Sequence, residues 1–394
     1  MERRRRVRMQ KKWAATEGKL SIIKQPHLSE ILSPEPLPHP TMFLHALANV
    51  VPEQRLTQRE SWEILRRSKA AARLRPGSRA LLEKILKGNN GIETRHFAVT
   101  DLDNIFDYDA ETLNQAFERE APILGEKALR AALAQAGLAA SELDALIVCT
   151  CTGYLCPGLS SFMAERVGVR QDAFLQDLVG QGCGAAIPAL RSVSHLVAAK
   201  PESRVACVAV EICSAAFYLD DDPGVLISLC LFADGASASI WNGHAGPTKL
   251  RCAGFDTLHL PADRECLRFE NKGGKLRNKL DKTVPERAGA AVRTLYERQN
   301  GTAESIGRVL THAGGKKVIE AVGLALEERF PLEESLAVLR RYGNMSSPSV
   351  LFALGEHLRA AEVNGHDAED LWLTSFGAGF SAHACRLTRA EPGI

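Results

Sequence analysis

The sequence predicts an α/β protein built of two similar halves, each a sheet buried by helices. Three observations carry that prediction. Short, mainly apolar runs at 143–150, 204–210, 306–311 and 371–375 have the length and composition of buried strands. Stretches with apolar residues at three- and four-residue steps separate them, as in Ile187, Leu190, Val193 and Val197. The strand–turn–helix unit at 143–167 is then echoed at 306–326, which points to an internal duplication. The turn at 243–247 is the expected boundary, giving halves at 41–245 and 246–394.

Taken in order, residues 1–40 stand apart. Arg3 to Arg6, Arg8, Lys11 and Lys12 are followed by four prolines between Ser33 and Pro40. No apolar signal core accompanies them, so a basic tail with a proline linker is expected, with an organellar transit peptide as the alternative. A strand is expected at 42–50. A helix follows at 57–72, opened by Thr57 with Glu60 three residues on, the pattern of a capping box. A second helix at 78–87 stops at Gly88-Asn-Asn-Gly91, and 92–98 is extended. The alanine-rich stretch 109–136 is a long helix ending at Gly137. After the strand 143–150, the turn at 153–158 leads into a helix at 160–167. The strand 204–210 is followed by a helix at 226–231 and a small-residue strand at 232–240. In the second half, helices are expected at 285–299, from Gly314-Gly315 to 326, at 333–341 and at 347–361. Strands are expected at 306–311 and 371–375, the latter running into the turn Gly377-Ala-Gly379.

Bulk properties narrow the function. A net charge of +2 argues against a polyanionic partner such as nucleic acid. No apolar run is long enough to span a bilayer. The ten cysteines lack paired Cys-x-x-Cys spacing and mostly lie in apolar runs, so neither a zinc site nor a disulfide scaffold is expected. A reducing cytoplasm is the simplest home.

Chemistry concentrates in three segments. In Leu175-Gln-Asp-Leu-Val-Gly-Gln-Gly-Cys183-Gly-Ala-Ala, an extended run meets three glycines and then a helical pattern. This places Cys183 on a tight turn at a helix start, where unpaired N–H groups favour a thiolate. The same stretch also reads Gly-x-Gly-x-x-Ala, with Glu202 about twenty residues on, a pattern shared with dinucleotide-binding turns. His312 ends a buried strand and is followed by Gly314 and Gly315. Asn344 lies in Tyr342-Gly-Asn-Met-Ser-Ser347. A cysteine can hold an acyl group as a thioester. A histidine N–H and an asparagine amide are two neutral donors, suited to the enolate left when a malonyl unit loses carbon dioxide.

Gly182-Cys183-Gly184, His312-Ala-Gly-Gly315, the run from Tyr342 through Ser347 to Leu354, and Ser375-Phe-Gly-Ala-Gly379 together resemble the type III polyketide synthases, the chalcone synthase family. The resemblance runs from about residue 41 to 388. It implies the thiolase-like five-layer αβαβα fold with two duplicated halves, a homodimer, and no metal or tightly bound cofactor. By motif it implies that Cys183 carries the acyl chain, that His312 and Asn344 form the decarboxylation and oxyanion pair, and that Phe232 gates the pocket. Cys151, Thr152, Ser346 and Phe376 are expected around the substrate, with acyl-CoA and malonyl-CoA as substrates. Coenzyme A is expected near Lys84, Lys87, Gly314, Gly315 and Lys317. Departures from the plant pattern bear on substrate. Asn278 stands where a second gating phenylalanine is usual, Ala216 where a threonine is, Phe269 near a glycine position, and Ala378 at a proline position. Cys156 lies in the turn that points toward the partner subunit in this family.

The reading that follows is a type III polyketide synthase closing its product to a pyrone or a phenolic ring. A ketoacyl synthase III type enzyme, which stops after one condensation, is the nearest rival. A nicotinamide oxidoreductase and an inactive homologue serving as a binding partner are the others.

Overall fold

A computed structural model describes residues 41–299, 305–364 and 370–389; the expected basic tail lies outside them. The first half runs β1 (Met42–Val50), β2 (Gln54–Thr57), α1 (Gln58–Arg67), α2 (Pro76–Lys87), β3 (Thr94–Phe97), α3 (Ala110–Ala136), β4 (Ala145–Thr150), α4 (Leu159–Val167), β5 (Phe174–Val179), α5 (Ala186–Ala199), β6 (Val205–Glu211), α6 (Pro223–Leu231) and β7 (Gly235–Asn242). The second runs β8 (Leu250–His259), β9 (Leu267–Lys272), β10 (Lys275–Leu280), α7 (Val284–Glu297), β11 (Arg308–Thr311), α8 (Lys316–Ala325), α9 (Glu333–Tyr342), α10 (Ser349–Asn364), β12 (Leu371–Gly377) and β13 (Ser381–Arg389).

Nine strands pair in the order β11-β12-β13-β8-β1-β7-β6-β4-β5. The duplication is visible in this order. β4 runs parallel to β6, which is antiparallel to β7, which is antiparallel to β1. Likewise β11 runs parallel to β12, which is antiparallel to β13, which is antiparallel to β8. The two sets meet only where Met42 and Phe43 pair with Cys252 and Arg251.

Helices complete five layers. α5 packs on β4 and β6 on one side and on β12 and β13 on the other, and α10 lies beside it against β1, β11 and β12. α3 and α4 cover the outer face of the first half, while α7, backed by α8, covers the second. The strand β4 explains why its sequence is apolar throughout. Ala145, Ile147 and Cys149 face one core and Leu146 and Val148 the other, so the two-residue alternation of a strand buries both faces. This is the thiolase-like arrangement of two duplicated halves.

Local signals set the element ends. Thr57 and Glu60 form the reciprocal capping box. The single helix expected over 57–72 is interrupted at Ser68, whose extended backbone ends α1 and whose hydroxyl caps the short turn Lys69–Ala72. Asp109 caps α3, and Gly137 closes it at φ 65°.

Five strands were not expected from sequence: β2, β8, β9, β10 and β13. β9 and β10 are a charged hairpin rather than an apolar run, so burial gave no signal. Their turn did carry one. Gly273 and Gly274 both have positive φ, the conformation a two-residue hairpin turn demands.

Candidate active site

The cysteine turn is built by crossing backbones. β5 ends at Val179, and Gly180 and Gly182 take φ values of 82° and 59°, where a side chain is strained. Cys183 then sits in a 3₁₀ turn, Gly182–Gly184, three residues ahead of α5. It is therefore before the helix rather than in its first turn. The glycine turn after β12 lies directly across it. A Cβ on Gly377 would come within 2.6 Å of Gly184 N and 3.2 Å of Cys183 N, and one on Gly182 within 2.7 Å of Ala378 N. Ser375 Oγ donates to Gly184 O (3.0 Å), tying the two turns together.

His312, Asn344 and Cys183 converge through intermediaries. Ser346 Oγ donates to Cys183 Sγ at 3.3 Å, and Ser346 N donates to Asn344 Oδ1 at 2.8 Å. Because that backbone N–H can only donate, the Asn344 amide is oriented: its Nδ2 faces the other way and donates to Gly314 O at 3.1 Å. Nδ2 carries two hydrogens, so one remains for a substrate oxygen. Gly314 in turn leaves room beside His312; a Cβ there would stand 3.2 Å from His312 Nε2. The His312 ring packs edge-on to Phe376, centroids 5.2 Å apart, and its Nδ1 is buried without a partner. An orphaned N–H is costlier than an orphaned lone pair, which leaves the ring proton for Nε2. The arrangement offers one thiol and two neutral donors.

Burial decides the charge states. It pushes the Cys183 thiol up to about 12, with the Ser346 hydroxyl only partly opposing it. It pushes the His312 imidazole down to about 3. Burial thus disfavours either charge alone, and the helix start that would favour a thiolate lies three residues further on. Alkylation of Cys183 by iodoacetamide should accordingly rise about tenfold per pH unit from pH 6 to 9. A plateau near neutral pH, measured on Cys183 by peptide mass spectrometry, would show a standing thiolate–imidazolium pair instead.

One residue of the site escaped the sequence analysis. Glu211, fully buried at the end of β6, accepts from Cys151 N (3.0 Å), Thr150 Oγ1 (3.2 Å), Thr152 Oγ1 (2.8 Å) and Ser347 Oγ (2.5 Å). Burial raises its pKa above the usual glutamate value. It draws together the β4 end and the Asn344 segment. A carboxylate closing an otherwise apolar strand was the available signal.

Beside the cysteine lies a cavity of about 30 Å³, lined by Cys151, Thr152, Ala216, Phe232, Phe269, Asn278 and Ser346 among others. That is room for about one water. Phe232 is held from behind. Its backbone bridges to Asn344, and Arg95, 3 % exposed, donates to Phe232 O (2.8 Å) and Leu229 O (2.7 Å). Of the other expected pocket residues, Phe376 packs on His312. Cys156 lines a separate open groove of about 780 Å³ that also reaches Cys151 and Phe269. Lys84 and Lys87 lie on α2, where Lys87 pairs with Glu83 and stands over the Trp62 ring. Gly315 precedes α8, and Lys317 lies in its first turn.

A family profile described as chalcone and stilbene synthases, N-terminal domain, matches residues 39–245. The chain belongs to the chalcone and stilbene synthase family. A second profile, the C-terminal part of 3-oxoacyl-[acyl-carrier-protein] synthase III, matches 296–389. Relatives include the 3,5-dihydroxyphenylacetyl-CoA synthase of Streptomyces toyocaensis, 32 % identical over 67 % of this chain and 72 % of that one. The 1,3,6,8-tetrahydroxynaphthalene synthase of Streptomyces coelicolor is 29 % identical over 84 % and 88 %. The crystal structure of that synthase superposes with a TM-score of 0.77 at 26 % identity, covering 89 % of this chain and 99 % of that one. The fold is shared with a polyketide synthase of the brown alga Ectocarpus siliculosus, TM-score 0.81 at 24 % identity over 88 % and 98 %. This chain is thus a type III polyketide synthase, an acyltransferase-type condensing enzyme. The single-condensation ketoacyl synthase and oxidoreductase readings give way to it.

Proposed function

We propose that Cys183 carries the growing acyl chain and that His312 and Asn344 drive decarboxylation of malonyl-CoA. The observation that supports this is the chain Cys183–Ser346–Asn344–Gly314, which ties the thiol to the Asn344 amide and ends at the glycine beside the His312 ring. In loading, Cys183 Sγ attacks the starter thioester while His312 Nε2–H and the Asn344 amide hold the carbonyl oxygen, the C–S bond to coenzyme A breaks, and the thiol's proton goes to the departing thiolate so that coenzyme A leaves as its thiol. Malonyl-CoA then loses carbon dioxide, and the two donors hold the enolate oxygen. The enolate carbon attacks the Cys183 thioester, a C–C bond forms, the C–S bond breaks, and Cys183 is freed as a lengthened β-ketoacyl-CoA departs. No redox equivalent enters these steps, and we expect no metal or bound cofactor.

Repeated extension and closure to a pyrone or phenolic ring complete the reading. The two Streptomyces relatives, whose names denote dihydroxyphenyl and tetrahydroxynaphthalene products, support the phenolic outcome. Lys84, Lys87, Gly314, Gly315 and Lys317 are proposed around coenzyme A. A homodimer is supported by β5, an edge strand that exposes Phe174 and Val179, and by exposed Tyr154 near Cys156. No helix among the described residues is long and apolar enough to cross a membrane. The ten free thiols favour a cytoplasmic home.

Intact-protein and product mass spectrometry tests the reading. The protein is mixed with malonyl-CoA and starters from acetyl to long fatty acyl, benzoyl and coumaroyl, with Cys183→Ala as control. Acyl adducts on the wild type alone, with products of several acetate units, are expected. Adducts that persist in Cys183→Ala would remove Cys183 from its role.

A further inference from the structure

Two helix ends meet at Asn344, and a buried cation holds them. α6 stops at Leu231, where Phe232 N still returns to Ser228 O (2.9 Å). Ala233 N and Asp234 N, which would continue the helix, turn instead to Asn344 O and His96 O, each at 2.9 Å. With the helix ended, the carbonyls of Leu229, Cys230, Leu231 and Phe232 take their partners from elsewhere. Arg95 Nη1 donates to Leu229 O (2.7 Å) and Phe232 O (2.8 Å). Gln58 Nε2 donates to Cys230 O (2.8 Å), and Gln58 Oε1 accepts from Arg95 Nε (2.9 Å). The remaining carbonyl, Leu231 O, receives the backbone N–H of Asn344 itself (2.9 Å).

The second end is that of α9. Gly343 N returns to Leu339 O (2.9 Å), while Glu93 N donates to Arg340 O (2.8 Å) and Thr94 Oγ1 to Arg341 O (2.6 Å). Residues 93–95 thus meet the last carbonyls of both helices, and Asn344 lies just beyond the one and is bonded to the other. The fit is close. Gly343 has φ 74°, and a Cβ there would stand 2.8 Å from Arg95 Cγ and 2.9 Å from Leu231 O, which accounts for the glycine before Asn344. Arg95 is 3 % exposed and lies over the Phe97 ring at 5.0 Å. Burial pulls its pKa down to about 10, against the field of nearby Asp234, so it stays a cation at neutral pH. A cation suits the negative end of a helix dipole.

Resting on the polyketide synthase reading, we infer that Arg95 is a positioning residue for the Asn344 amide, oriented in turn by Gln58. It does not line the cavity beside Cys183. What it fixes is the seat, namely the α6 end that receives Asn344 N and the Phe232 backbone beside it. The Ser346 and Gly314 bonds choose which way the Asn344 amide faces, and the α6 end decides where it stands. Displacement on the ångström scale is enough to cost a donor much of its effect. A planar guanidinium spans the Gln58 amide and both carbonyls at once, which the compact ammonium of a lysine does not.

A double-mutant cycle on carbon dioxide release from malonyl-CoA tests this. Arg95→Lys keeps the charge and loses the fork. In the wild-type background it should lower kcat about tenfold with KM within about threefold. In the Asn344→Ala background, where no amide remains to be placed, it should change kcat by no more than about twofold. Gln58→Met leaves the guanidinium in place, should show the same coupling at about threefold, and carries the test should Arg95→Lys not fold. A side chain that served only to stabilise the fold would cost the same factor in both backgrounds. Equal losses in the two backgrounds, a loss carried by KM rather than kcat, or a folded Arg95→Lys within about twofold of wild type overturns the inference. A wild type that releases no carbon dioxide, or an Asn344→Ala variant as fast as wild type, would instead overturn the proposed function.

Discussion

Asn344→Asp lowers malonyl-CoA decarboxylation by roughly 10²–10³-fold, the loss typical of one oxyanion-hole donor. The substitution is chosen because it separates two roles. The carboxylate still accepts from Ser346 N, so the Ser346 hydroxyl should stay on Cys183 Sγ. What disappears are both amide hydrogens: the one aimed outward, replaced by a negative charge beside the developing enolate, and the one on Gly314 O, where a carboxylate oxygen now meets a carbonyl oxygen. Iodoacetamide labelling of Cys183 should therefore stay within a few-fold of wild type while carbon dioxide release collapses. Asn344→Ala serves as comparison, since it deletes both the donor and the acceptor for Ser346. Decarboxylation by Asn344→Asp within threefold of wild type would remove the amide from its role.

Glu211→Ala is the second large effect, and it is one of stability. Four donors now end on this carboxylate, from Thr150, Cys151, Thr152 and Ser347. Leaving buried donors unsatisfied costs about 1–3 kcal/mol each, offset in part by relief of the desolvated carboxylate and by reorientation of the three hydroxyls. A net destabilisation of about 3–5 kcal/mol is expected, at the upper end for single substitutions. Urea unfolding followed by fluorescence measures it. The pH dependence has a definite sign. Burial raises the Glu211 pKa, so the folded state binds its proton more tightly than the unfolded chain. The contribution favours folding most below the unfolded value and is lost as pH rises through the folded one. Glu211→Ala should abolish that part of the slope. An unfolding midpoint equal to wild type would show the four donors to be satisfied without Glu211.

Much of this was legible in the sequence because it rested on short-range rules. The capping box at Thr57 and Glu60, the left-handed end at Gly137 and the apolar runs of β4 and β6 are local facts. The three proposed catalytic residues stand out for a related reason: each lies at a glycine-marked turn where a strand or helix ends. What the sequence could not show is what the crossing of distant segments decides. The pKa of Cys183 depends on packing around a turn that four separate segments enclose. Glu211 is polar in a strand whose neighbours are all apolar, and its four donors come from positions 150–152 and 347.

The repeated strand pattern has a further consequence. In the first half, β4 ends at Thr150 and hands the chain to Cys151; in the second, the equivalent β11 ends at Thr311 and hands it to His312. On the proposed roles the two halves also divide the labour, with Cys183 after β5 in the first and His312 and Asn344 in the second. Neither copy holds a complete site, and the strand pairing between them amounts to the two residue pairs at Met42 and Phe43. On those roles turnover depends on how the halves are seated, which the packing of α5 and α10 against strands of both halves holds fixed.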